Sequence, residues 1–119
     1  MLPKINRLKK QKDFERVYKK GKGYKEDFLF LKIVENGKKL TRFGFVVGKN
    51  FSKKAALRNQ IKRKLREIIR LKFKKIQKGF DAILIIKPSG FEKKDFWELE
   101  EISTKLLSKA KILNLQNKK

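Results

Sequence analysis

The chain has 119 residues, with 35 Lys or Arg against 12 Asp or Glu, a formal charge of +23 at pH 7, and neither His nor Cys. That length suits one domain with a modest core and is too short for two, and Leu, Ile, Val and Phe make up about a third of it, more than an intrinsically disordered chain carries. Without His or Cys, nucleophilic triads, common zinc sites and disulfides are excluded, and a charge that opposes compaction points to a polyanionic partner, nucleic acid ahead of an anionic membrane surface.

In chain order, residues 1–10 read as a basic arm with scattered apolar residues at Leu2, Ile5 and Leu8. Phe14, Val17 and Tyr18 follow at i, i+3, i+4 spacing, with Gly21 where a helix would end, which predicts a short helix over 11–20. Residues 21–25 suit a short edge strand, and 28–34 (FLFLKIV) a strand rich in aromatic and β-branched residues. Asn36-Gly37 is a hairpin signal, so 40–48, where Phe43, Phe45 and Val47 alternate with Gly44 and Val46, reads as the return strand. A buried strand over 80–87 and a last helix over 91–113, with Phe96, Leu99, Ile102, Leu106 and Ala110 on one side, complete the chain before a frayed tail at 114–119. The order helix, strands, helix, strand, helix suits an α+β, two-layer sandwich with helices over one face of a small sheet.

Between these elements lies the stretch that dominates the chain. Residues 49–78 contain thirteen Lys or Arg and one acid, Glu67. Leu57, Ile61, Leu65, Ile68, Ile69 and Phe73 recur at helical spacing, so the stretch reads as a helix starting near Ser52, its apolar stripe inward and its cations outward. Asn59, Lys62, Arg63, Arg66, Arg70 and Lys74 fall on the outward side, with Arg58 at the border. The chain has 28 Lys and 7 Arg, together the 35 cations, and four of the seven Arg (Arg58, Arg63, Arg66, Arg70) stand in this segment. In a chain that otherwise defaults to Lys, Arg indicates planar, bidentate contact to phosphate or base edges. Charge is also unevenly spread: residues 1–90 hold 28 basic and 7 acidic side chains (+21), residues 91–119 hold 7 and 5 (+2).

Catalytic chemistry is not evident. Asp13, Asp27 and Asp81 are isolated in sequence, Glu98, Glu100 and Glu101 read as a solvated helix face, and Gly44 and Gly48 lack the spacing of a phosphate loop. Phe14 and Tyr18 lie among Lys and Arg, where aromatic rings can either stack on single-stranded bases or anchor the short helix in the core. Phe28, Phe30, Phe43 and Phe45 favour the core. The longest apolar run, 82–86, is far short of a membrane span, the N-terminus lacks a signal-peptide core, and the only Trp, Trp97, lies in the near-neutral last helix, so the expectation is a soluble cytoplasmic protein.

The run FGFVVGKN at 43–50, followed by AALRNQIKR at 55–63 and LRE at 65–67, resembles the bacterial ribonuclease P protein subunit, as do Arg7-Leu-Lys-Lys, Asp13-Phe14, Val17-Tyr18 and Lys87-Pro88 in the same order. The family's Arg-Asn-Arg triplet is Arg58-Asn59-Gln60 here, and a neutral amide cannot reproduce an arginine's phosphate pairing. The resemblance implies a mixed sheet with a left-handed strand–helix–strand crossover, an exception to the usual hand. It also implies a single RNA-binding domain over 1–119 whose partner is the catalytic ribonuclease P RNA. That RNA would carry the Mg2+-dependent hydrolysis removing the 5′ leader of precursor tRNA, with the Mg2+ held mainly by RNA. Lys53, Lys54, Arg58, Asn59, Lys62, Arg63, Arg66 and Arg70 would meet the catalytic RNA, and Phe14, Tyr18 and Lys49 the leader. No obligate protein partner is expected. The competing reading is a ribosomal or other structural RNA-binding protein with no leader cleft; retention on purified ribosomes through high salt would favour it.

Overall fold

The computed structural model describes residues 4–26, 28–47, 55–86 and 96–111. Their elements are α1 (Gln11–Lys20), β1 (Lys22–Glu26), β2 (Leu29–Glu35), β3 (Arg42–Val47), α2 (Ala55–Lys72), β4 (Phe80–Ile86) and α3 (Phe96–Lys109), with 3-10 turns at Lys4–Asn6 and Phe73–Lys75. The expected α+β arrangement of helices on a small mixed sheet is present. Ser52, Gly48 and the tail fall outside the described residues.

Strand order is β1-β2-β4-β3, with β4 antiparallel to β2 and parallel to β3. This corrects the hairpin expected from Asn36-Gly37, because β2 and β3 flank β4 and do not pair with each other. Residues 82–86 are apolar without a break, so β4 is the strand that must be covered on both faces and paired on both edges. Strands two places apart are separated by roughly 10 Å, too far for a two-residue turn. The connection instead runs from Asn36 to Thr41 and is tied to the lead-in of β4: Asn36 N–H donates to the Gly79 carbonyl (2.9 Å) and Thr41 Oγ1 to that of Gln77 (2.6 Å). Gly37, at φ 69°, supplies the left-handed residue that the turn needs.

Alternation along the strands divides the core. Leu29, Leu31, Ile33, Phe43, Val47, Ala82, Leu84 and Ile86 face α2 and α3 and build the main cluster with Ile61, Leu65, Ile69, Leu99 and Leu106. Ile83 faces the other way and packs with Leu8 and Val17, with Phe14, Val34, Val46 and Ile85 around them. Among the described residues α1 is therefore the helix on the second face, where the sequence pattern suggests helices on one face only. Helical spacing shows that a helix has an apolar side and says nothing about which sheet face it meets.

Residues 4–8, within the stretch read as a partly ordered basic arm, are part of the fold. Arg7 bridges to Phe43 in parallel, Leu8 N–H donates to the Phe43 carbonyl (2.9 Å), and Asn6 Nδ2 donates to the Thr41 carbonyl (3.0 Å), so this segment covers the open edge of β3. Likewise α2 does not run unbroken to residue 78. It ends at Lys72 and tightens into the Phe73–Lys75 turn, closed by Ile76 N–H on the Phe73 carbonyl (3.1 Å).

Gly21 closes α1 with its N–H on the Val17 carbonyl (2.8 Å) at the point where helix meets sheet. A Cβ there would stand 2.5 Å from the Val17 carbonyl oxygen and 3.0 Å from that of Ile33, both fixed backbone atoms. Gly21→Ala is expected to destabilise the protein by about 1–3 kcal/mol, read as a lower urea midpoint with unchanged slope; an unchanged midpoint would mean that the end of α1 can shift freely.

Candidate nucleic-acid interface

α2 buries Ile61, Leu65, Ile68 and Ile69 completely, which fixes the rotation of the helix. Asn59, Gln60, Arg63 and Arg70 are consequently exposed, and Arg58, Lys62 and Arg66 are half-buried along one flank. The Arg66 guanidinium lies 5.9 Å from the centroid of the Phe45 ring on edge strand β3, which holds its plane while leaving its charge at the surface. α2 contains seven cations and a single acid. That acid, Glu67, takes both donors of the Arg70 fork (3.0 Å from Nε), which holds the Glu67 carboxyl below its ordinary range and raises Arg70. Arg70 is thus a predicted contact residue already engaged by a carboxylate in the same helix. At the far end Lys72 reaches Glu100 and ties α2 to α3. Lys49, Lys53 and Lys54 lie outside the described residues.

The second surface is the α1 side of the sheet. Tyr18 is 40% exposed, Phe14 and Phe30 are half-buried, and all three lie on this side. Phe14 rests on the backbone of Gly44: a Cβ built there would be 2.6 Å from two of its ring atoms. Gly44 therefore makes the space that lets α1 approach the sheet. The Lys25 ammonium is 5.4 Å from the Phe30 ring centroid, and Lys32 Nζ donates to the Tyr18 carbonyl (2.7 Å). Partial burial raises the Tyr18 hydroxyl above its ordinary pKa of 10.0, so it is a neutral hydrogen-bonding group at pH 7. Phe28 and Phe43 are core residues, as expected, while Phe45 and Phe30 keep part of their rings accessible.

A third feature was not anticipated. Asp81 opens β4 and its side chain has no exposed surface, yet it receives Arg42 on both oxygens (Nε to Oδ1 2.8 Å, Nη2 to Oδ2 2.6 Å), Asn36 Nδ2 on Oδ1 (2.9 Å) and Arg16 on Oδ2. Arg42 also reaches Asp13 on α1 (3.5 Å). Burial pushes the Asp81 carboxyl up, but the hydrogen bonds from Arg42 and Asn36 and the charges of Arg42 and Arg16 outweigh it and hold the pKa below 3.8. Asp13 and Asp81, isolated in sequence, thus do meet, and they do so around arginines. The sequence held one signal of this: an Asp beginning an otherwise apolar strand must find partners if it is buried. Among the described residues no group of three or more His, Cys, Asp or Glu is placed to hold a metal ion, and no helix is long and apolar enough to cross a membrane.

Residues 2–111 match the family model described as Ribonuclease P. The chain belongs to the ribonuclease P protein family. It is 37% identical over 115 residues to the ribonuclease P protein component of Pseudanabaena sp., covering 96% of this chain and 98% of that one, and 36% identical over 110 residues to that of Alkaliphilus oremlandii, covering 92% and 95%. Among solved structures, the RNase P protein from Thermotoga maritima superposes with a TM-score of 0.80 at 36% identity, covering 87% of this chain and 96% of that one. The RNase P protein of Staphylococcus aureus gives 0.83 at 29%, covering 92% and 98%. The three helices and four-stranded mixed sheet are the architecture of these ribonuclease P proteins. Membership in the family implies an RNA partner, and the cationic side of α2 has the chemistry for one.

Proposed function

We propose that this ribonuclease P protein binds the catalytic RNA through α2 and the single-stranded 5′ leader of precursor tRNA along the α1 side of the sheet, so that leader removal proceeds at lower Mg2+. The observation that carries this reading is the division of α2: a fully buried apolar stripe fixes the helix, and seven cations against one acid line its remaining sides. Arg58, Asn59, Lys62, Arg63 and Arg66, with Lys53 and Lys54 ahead of the helix, would contact phosphates of the catalytic RNA, and Arg70 would join them by exchanging Glu67 for a phosphate. Gln60 is exposed and can offer only neutral hydrogen bonds. Phe14 and Tyr18, with Lys49, would meet the leader by stacking and charge.

In this reading the chain screens phosphate repulsion and positions the substrate, and the hydrolytic chemistry with its Mg2+ resides in the RNA. Asp13 and Asp81, which meet around Arg42, are committed to arginines and are unsuited to hold the ion. The complex would work in the cytoplasm. Adding the protein to a bacterial ribonuclease P RNA at low Mg2+ is expected to raise leader cleavage roughly tenfold or more, equivalent to about 1.4 kcal/mol off the barrier. Cleavage that is the same with and without the protein would sink the proposal.

A further inference from the structure

At the far end of α2 from Arg58, roughly 24 Å away along the helix, a cavity of about 420 Å³ opens between the Lys4–Asn6 turn, the connection into β3 and the Phe73–Lys75 turn. Its apolar lining includes Ile5, Leu40 and Phe73, and its polar lining includes Lys39, Lys74 and Lys78; among the described residues no acid lines it. Ile5 is 67% exposed and, like Leu71 and Trp97, presents an apolar side chain at the surface, here at the rim of the cavity. Phe73 is held edge-on to Phe43 with ring centroids 6.4 Å apart, and it is only half-buried. The cavity is built on fixed parts: Asn6 Nδ2 donates to the Thr41 carbonyl, and Thr41 Oγ1 spans from the Gln77 carbonyl to Phe80 N–H (2.6 and 3.3 Å).

Lys72, Lys105 and Lys109 each have a carboxylate within 4.0 Å. Many surface lysines, Lys12, Lys19, Lys20 and Lys62 among them, have no carboxylate partner among the described residues; Lys39, Lys74 and Lys78, which also have none, are set apart by bordering one cavity. Three like charges gathered in this way repel one another unless an anion sits between them. An aromatic ring and an exposed aliphatic side chain beside them add a surface for a flat apolar group.

We infer that this cavity binds a nucleotide, its phosphate among Lys39, Lys74 and Lys78 and its base against Phe73 and Ile5. The nucleotide is either a residue of an RNA strand or a free monomer. The first source rests on the RNA-binding function proposed above and would extend the RNA footprint along the whole of α2.

The full chain, labelled with 15N, is titrated with adenosine 5′-monophosphate, cytidine 5′-monophosphate and inorganic phosphate. The expected result is saturable movement of the amides of residues 5, 6, 39–41 and 73–78 by the nucleotides, with inorganic phosphate at least fivefold weaker. Lys74→Gln/Lys78→Gln should lower nucleotide affinity at least fivefold, and Phe73→Leu should bring nucleotide and phosphate to equal affinity, with the remaining amides unmoved as the check on folding. Nucleotide shifts confined to other residues, or phosphate as effective as nucleotide on the wild type, would overturn the inference. A second arm measures affinity for ribonuclease P RNA against salt. A slope reduced by about 0.7 in the double-lysine variant, the share of one single-strand phosphate contact, assigns the cavity to an RNA strand; an unchanged slope with intact nucleotide shifts assigns it to a free nucleotide. Failure of the RNA-binding function itself looks different, since the wild type would then not bind the RNA at all while the nucleotide titration stayed as expected.

Discussion

Asp81→Ala is expected to cost about 3 kcal/mol of stability, the low end for breaking a buried ion pair, seen as a fall on the order of 10 °C in Tm. The low end applies because Arg42 and Arg16 retain some solvent contact, at 17% and 33% side-chain exposure, while Asp81 has none. The substitution removes the acceptor shared by Arg42, Arg16 and Asn36, leaving two guanidinium groups close together, with Asp13 still within reach of Arg42. The pH dependence separates charge from packing. The folded carboxyl titrates below its ordinary value of 3.8, so its contribution is fully present above that pH and is lost as the pH falls through the folded value. The stability gap between wild type and Asp81→Asn should therefore be constant from pH 7 down to about 4 and shrink below it. A gap that persists undiminished into strong acid would show that the amide fails for reasons of shape.

The same aspartate shows where sequence reading stops. The strands and helices were legible because each has its own period: alternation at Phe43, Phe45 and Val47, helical spacing at Ile61, Leu65 and Ile68, and an unbroken apolar run at 82–86. The cationic side of α2 was legible for a similar local reason, four arginines in a chain that otherwise uses lysine. Pairing order was not. Asn36-Gly37 encodes a turn, and nothing in those two residues says that a strand more than forty positions later will enter between the strands they join. The Asp81 cluster collects residues 13, 16, 36, 42 and 81, which share no spacing and meet only because β4 is central and α1 crosses the second face. Phe14 has the same character. Its helix position marked it as apolar, but its place on Gly44 depends on a strand thirty residues away.

That contact sets the second prediction, which decides what Phe14 is for. Gly44→Ala puts a methyl group where two Phe14 ring atoms now lie at 2.6 Å, with Leu8 Cβ 3.4 Å away on the other side. The strand is paired to β4 and cannot retreat, so the ring must swing off the sheet, at a cost of about 1–3 kcal/mol. Phe14→Ala removes the obstacle, and the double variant should be less destabilised than the sum of the two by about 0.5–3 kcal/mol. Stability alone would establish only an anchor. If the exposed part of the ring also stacks on a leader base, worth about 1–3 kcal/mol, then Gly44→Ala and Phe14→Ala should each weaken precursor tRNA binding by the ribonuclease P complex roughly 5- to 100-fold. Binding of mature tRNA, which has no leader, should be unchanged in both. Gly44→Ala is the more informative of the two, because it keeps the aromatic ring and changes only its position. Equal losses on precursor and mature tRNA would make Phe14 a core residue of α1 and nothing more; loss confined to the precursor would mean that one ring, held by one glycine, both seats the helix and reads the strand.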